Sequence, residues 1–240
     1  MSWQIFSAAT AGATHEKHLQ KCGDAVCAIQ ARGYSLCLIA DGAGSVSGSE
    51  DFAENLVSYV KDIFQEGSWM QGEKWTPKNI LLHLYESVRG KVSERAFGPG
   101  DSTLLALLIA DQEAAFLQVG DGFCVVRENG HFQLISDMDK DAYANETDFI
   151  GKTQIPSVKT FNTQDVDFFA LSSDGLTQVA LRTKTNQPHI PFFEPFSLFL
   201  SEHPSDNEGK KEIEAFLKSD SLRDKVKDDV SLIIGQRHHD

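Results

Sequence analysis

The chain has 240 residues, 41% hydrophobic and 24% charged, an ordinary globular composition with length enough for one large core or two small ones. Its formal charge is −13, from 22 Lys and Arg against 35 Asp and Glu, which makes nucleic acid and anionic membranes poor partners. No apolar run reaches the roughly 18 residues a membrane span needs, and the opening MSWQIFSAATAGATHEKH lacks the basic start and long apolar core of a signal peptide. Cys22, Cys27, Cys37 and Cys124 show no CxxC spacing. They are read as reduced, mostly packing thiols of a cytoplasmic protein.

The pattern predicts strands at 4–9, 25–31 and 34–40, the last being SLCLIA just before Asp41. Apolar positions 52, 53, 56, 57, 60, 63 and 64 predict a helix over 49–65, with Ser49 as its N-cap. A second helix starts near Pro77, with apolar positions 80, 81, 84, 88 and 92. Four strands follow, at 102–110, 114–120, 123–128 and 131–136, and Asn129-Gly130 marks a hairpin between the last two. The loop from Asp137 to Pro156 is too long for filler. Residues 166–175 form a buried strand running into Asp-Gly, 191–201 and 207–218 are helical, and 230–236 is a final strand. This is an α+β pattern with antiparallel sheets rather than βαβ repeats. No repeat or linker breaks it, so residues 1–240 are expected to form one domain.

Carboxylates recur at the strand ends. Asp41, Asp121 and Asp174 each follow an apolar strand and precede Gly, Asp228 and Asp229 immediately precede VSLIIG, and Asp24 precedes a strand in CGDAVCAI. A lone Asp-Gly is ordinary turn chemistry. Repeated at one end of a packed sheet, such carboxylates would repel and raise one another's pKa unless a hard divalent cation joined them. Spacing alone leaves both readings open, tilted towards the metal site.

The ordered set of motifs resembles the metal-dependent protein Ser/Thr phosphatases of type 2C. It runs from CGDA (22–25) through IADGAGS (39–45), GDSTLLALLI (100–109), LQVGDGFCVVRENG (117–130) and ALSSDGLT (170–177) to DDVSLII (228–234), across nearly the whole chain. SAATAGATH (7–15), DGAGSVS (41–47), AYANETDFI (142–150) and PHIPFFEPF (188–196) narrow the resemblance to stand-alone bacterial phosphatases of the phosphatase C type. The resemblance implies a four-layer αββα sandwich, two antiparallel sheets with helices outside. It also implies a binuclear Mn²⁺ or Mg²⁺ site, with a third ion in bacterial members.

By position in those motifs, Asp41 corresponds to the carboxylate that bridges both metals, and the Gly42 carbonyl to a ligand of the second. Asp174 and Asp228 correspond to ligands of the first metal. Asp24 corresponds to the acid that orients metal-bound water, and Asp121, with Asp174, to the holder of the third ion. The implied reaction is hydrolysis of phosphoserine and phosphothreonine in proteins by a metal-bridging hydroxide. The implied partners are a phosphoprotein and a cognate Ser/Thr kinase, in a bacterium.

Three departures stand out. Gly23 occupies a position where the family usually has Glu or Gln. No Arg precedes Asp24 to grip phosphate, although His15 lies in that region as a candidate phosphate contact or acid. GDGF (120–123) replaces the usual GDSR. Asn145 and Thr147 are expected to bond within their own loop. The departures keep open a second reading, a degenerate phosphatase that only binds phosphoproteins or kinases. The complete set of Asp41, Asp174 and Asp228 argues against it, and the acidic charge argues against a dinuclear nuclease.

Overall fold

Leu36, Leu38 and Ala40 face one side of their strand, Cys37 and Ile39 face the other, and both sides are buried. A strand apolar on both faces needs a layer on each side. The computed structural model describes residues 2–17, 20–71, 75–138, 148–182, 184–202 and 205–238. The strands among them are β1 (Ser2–Thr10), β2 (Asp24–Ala31), β3 (Tyr34–Asp41), β4 (Leu104–Ile109), β5 (Glu113–Val119), β6 (Phe123–Glu128), β7 (His131–Leu134), β8 (Ser157–Asn162), β9 (Val166–Ser172), the short β10 (Leu181–Arg182) and β11 (Gln187–Pro188), and β12 (Val230–His238). The helices are α1 (Ala13–Lys17), α2 (Ser49–Glu66), α3 (Pro77–Ser93), α4 (Thr177–Ala180), α5 (Ile190–Glu202), α6 (Asp206–Leu217) and α7 (Asp220–Arg223).

Two five-stranded sheets carry the fold, in the orders β1-β12-β9-β6-β7 and β2-β3-β4-β5-β8. Neighbouring strands within them pair antiparallel. Between the sheets lies a core that includes Ile39, Leu107 and Phe116 from one and Val126, Phe169 and Ile233 from the other. α2 and α3 cover the outer face of the β2–β8 sheet, and α5 and α6 that of the β1–β7 sheet. This is the expected α+β, four-layer αββα arrangement. No helix among the described residues is long and apolar enough to cross a membrane.

Local chemistry explains the element ends. Asn129 and Gly130 both have positive φ, 49° and 77°, as a tight hairpin turn between right-twisted strands requires. Thr76 accepts from the Asn79 backbone N–H at 3.2 Å and caps α3, with Pro77 in its first turn. The cap expected of Ser49 is a correction. Gly48, at φ 86°, is the N-cap, and Ser49 is the first helical residue, donating its hydroxyl to the Val46 carbonyl.

The pattern also misses β8, whose SVKTFN is polar on an edge and only partly buried, and the very short α1, α7, β10 and β11. Most of AYANETDFI, with Asn145 and Thr147, lies outside the described residues. Its last residue, Ile150, is buried and donates its N–H to the Ser102 carbonyl.

Leu107 is fully buried between the sheets, so Leu107→Ala should cost about 2–5 kcal/mol in urea unfolding. Thr76→Ala, which removes only the α3 cap, should cost about 1 kcal/mol.

Candidate active site at the strand ends

Register brings the carboxylates together. In the β2–β3 ladder Asp24 stands directly opposite Asp41. Beyond them Gly42 bridges to Ser102, and the Gly42 N–H donates to the Gly23 carbonyl at 3.1 Å. In the other sheet Phe123 pairs with Ser172, and Ser172 with Leu232, so the start of β6, the end of β9 and the start of β12 share one end. Asp121 lies just before that end of β6, Asp174 just after β9, and Asp228 and Asp229 just before β12. The Ser173 hydroxyl donates to Asp24 Oδ2 at 2.6 Å and joins the two sheets there.

Close packing demands small residues at this end. A Cβ on Gly42 would meet the Ser49 carbonyl oxygen at 2.6 Å, and one on Gly175 would meet the Asp229 carbonyl oxygen at 2.1 Å. The GDGF departure has the same cause: a Cβ on Gly122 would lie 2.6 Å from the Ser172 carbonyl oxygen, and Phe123 is wholly buried beneath the outer helices.

The electrostatics are those of crowded acids. Burial, and then the charge of Asp24 and Asp174, push the Asp41 carboxyl up to about 10. Burial, with the charges of Asp121, Asp228 and Asp24, raises Asp174 to about 7. Burial raises Asp24 to about 6, against the Ser173 hydrogen bond that favours its ionised form. Asp24, Asp174 and Asp228 thus act on Asp41, and Asp121, Asp228 and Asp24 on Asp174. Asp24 Oδ1 is buried without a hydrogen-bond partner. An open cleft of about 430 Å³ lies beside them, lined by Asp174, Gly175, Gln178, Lys225, Val226, Lys227 and Asp228. Among the described residues, no three His, Cys, Asp or Glu side chains close on a common point as a finished metal cage would.

A second cavity, about 350 Å³, lies at the other end of the β2–β3 hairpin between Trp3 and Tyr34. Its guanidinium groups, Arg32 and Arg237, donate to backbone carbonyls. The acidic end is therefore the one with groups available for chemistry.

Comparisons with known proteins match the chain as a whole. The profile named Protein phosphatase 2C matches residues 11–218. The chain belongs to the protein phosphatase 2C family. The enzyme class expected from the motifs, a protein serine/threonine phosphatase, is borne out with it. Serine/threonine-protein phosphatase 3 of Escherichia coli (strain K12) is 27% identical over 250 residues, covering 98% of each chain. Among solved structures, Serine/threonine phosphatase Stp1 from Staphylococcus aureus has the same fold at a TM-score of 0.68. It is 15% identical, over 100% of this chain and 96% of its own. The catalytic domain of serine threonine protein phosphatase PstP, a complex with 2 manganese ions, matches at 0.64 with 16% identity, over 98% of this chain and 97% of its own.

The sequence reading of this phosphatase passed over Ser173, Lys225 and Lys227, and named Asp229 without giving it a role. Asp228 is exposed and Asp229 is buried, and Asp229 accepts from the backbone N–H groups of Gly12 and Gly23 and contacts His15 Nδ1 at 2.8 Å. The signal was the Asp-Asp pair itself: neighbouring side chains entering a strand point to opposite sides. Lys21 turns away from the cleft to Asp51 and Glu54.

The raised carboxyls set a pH dependence. Asp24, Asp41 and Asp174 hold protons more tightly folded than unfolded, where each has its ordinary value of 3.8. Their contribution to stability is complete below that value and is lost as pH rises through the folded values of about 6, 7 and 10. In EDTA the melting temperature should fall progressively from about pH 4 to about pH 10, most steeply below about pH 6, where all three carboxyls hold protons only in the folded state. Asp41→Asn should flatten that fall in a differential scanning series.

Proposed function

We propose that this phosphatase hydrolyses phosphoserine and phosphothreonine esters in proteins with the help of two Mn²⁺ or Mg²⁺ ions. The observation that carries the reading is the gathering of Asp24, Asp121 and Asp228, from separate segments, around Asp41 and Asp174. The donor set fits such ions. It is all oxygen, as hard cations require. It includes a buried Asp24 oxygen with no other partner, and burial together with neighbouring carboxylates holds the Asp24, Asp41 and Asp174 carboxyls above their usual range.

Asp41, the Gly42 carbonyl, Asp174 and Asp228 would hold the two ions. Asp121 with Asp174 would hold a third. When bound, such cations draw charge from the phosphoryl group and supply a nucleophile at neutral pH. The chain's own groups do the rest. Asp24, fixed by the Ser173 hydroxyl, orients the attacking water. Lys225 and Lys227 on the cleft wall offset the charge of the arriving dianion. His15 meets the substrate from the short helix α1. The phosphoproteins would come from a Ser/Thr kinase in a bacterial cytoplasm. The four free cysteines, two of them buried, suit that compartment. One domain over residues 1–240 suffices for this role.

Release of 4-nitrophenol from its phosphate ester should require Mn²⁺, disappear in EDTA, and fall by about 100-fold or more in Asp174→Asn. A wild-type protein that takes up Mn²⁺ in calorimetry yet releases no 4-nitrophenol would overturn the proposal. Because uptake displaces protons from Asp41 and Asp174, the Mn²⁺ affinity should also strengthen as pH rises from about 6 to about 8.

A further inference from the structure

Asp229 is only 6% exposed and has no part in the chemistry above. Its two oxygens accept from the backbone N–H groups of Gly12 and Gly23, and both lie within 2.9 Å of His15 Nδ1. Two unambiguous donors already point at this carboxylate. The third contact is therefore Nδ1–H of the imidazole donating to it.

The fold makes deliberate room for the arrangement. A Cβ on Gly23 would sit 3.0 Å from Asp229 Oδ2, and one on Gly12 would strike the backbone of Lys227 and Asp228. The missing Gly23 side chain, a departure from the family pattern, is thus where the Asp229 carboxylate fits. The imidazole approaches the Gly23 backbone beside Gly42. Its Cε1, the atom between the two nitrogens, is 3.9 Å from that same Gly23 position, which is 3.9 Å from the Gly42 carbonyl oxygen. About a third of the His15 side chain remains exposed.

We propose that Asp229 is a positioning residue: it fixes the orientation of His15 so that, in the doubly protonated ring, Nε2–H serves the leaving ester oxygen. The proposal rests on the phosphatase reading of the cleft. An imidazole that has given Nδ1–H to a buried carboxylate has one nitrogen left for substrate. As the phosphorus–oxygen ester bond breaks, its electron pair goes to the Ser or Thr oxygen, and the proton on Nε2 follows it. One water is consumed. Its oxygen bonds phosphorus, one of its protons stays on the phosphate, and the other restores Nε2–H. Alcohol and phosphate leave, and no oxidant or reductant is needed. The carboxylate holds the imidazole in place and stabilises its charged form without itself taking the proton.

Leaving-group dependence separates this role from a mere structural tie. Nitrophenolate departs without a proton, whereas phenolate gains from one. His15→Gln and Asp229→Asn should each slow phenyl phosphate hydrolysis with Mn²⁺ by about tenfold or more beyond any loss on 4-nitrophenyl phosphate. The double variant should lose no more than either single one. Equal losses on both esters, or an Asp229→Asn that spares the phenyl ester, would overturn the proposal. Because Asp229 is buried and its replacement puts the fold at risk, nitrogen-15 spectra of the wild-type protein with Mg²⁺, assigned by difference from His15→Gln, provide a second measurement. They should show Nδ1 of His15 protonated, and a bare Nδ1 overturns the proposal. A wild type inert on both esters would count against the phosphatase reading, while the spectrum would still decide the Asp229–His15 contact.

Discussion

Asp24 and Asp41 face each other across the β2–β3 ladder, at the point where both strands leave the core. Burial removes the water that would solvate their charge, and the neighbouring carboxylates add repulsion. An arrangement of this kind opposes folding, so the cohesion must come from elsewhere. It comes from three apolar layers: one between the sheets and one beneath each pair of helices. β3 shows the division of labour within a single strand. Leu36 to Ala40 are buried to 1% exposure or less and are wholly apolar, and the next residue is Asp41. The rigid core holds the carboxylate where a flexible loop would let it swing into solvent.

The end of the sandwich is closed mainly by backbone. Gly12, Gly42 and Gly175 each lie where a Cβ would run into a neighbouring main chain, and the segment 227–229 packs between two of them. That close approach decides the different fates of Asp228 and Asp229. One side chain projects to the cleft mouth, and the other is drawn inward, where two glycine N–H groups and an imidazole satisfy it. Contacts of this type tie the last strand to the opening segment across more than 200 positions of sequence. The site is therefore assembled only when the fold is complete.

Much of this was legible in the sequence because the signals were periodic. The α2 apolar positions, the doubly buried β3 and the Asn129-Gly130 turn each follow from local pattern, and the structure contains them. β8 was not legible. As an edge strand it has polar residues on a half-exposed ladder, and its pairing with β5 is a tertiary fact. The Ser49 cap failed for a related reason. The chain enters α2 through a left-handed Gly48, and the Ser49 hydroxyl is used on Val46. At the site, strand-end Asp residues could be picked out one by one. Asp229 could be named among them but not given its role, because its partners Gly12, His15 and Gly23 are remote in sequence.

The −13 charge of the chain and the double charge of a phosphate monoester pose a last constraint. At physiological salt, charges more than about 8 Å away are largely screened where solvent reaches them, so the net charge matters less than the groups within the cleft. There Lys225 and Lys227 stand beside Asp174 and Asp228. Exposed Lys–carboxylate attraction is weak in water, and the two lysines alone do not balance five clustered carboxylates. Under the proposed function, cations held by the carboxylates would supply the balance and would convert the group that repels the dianion into the group that binds it. An arginine in the first motif would then only refine a field that the bound ions dominate.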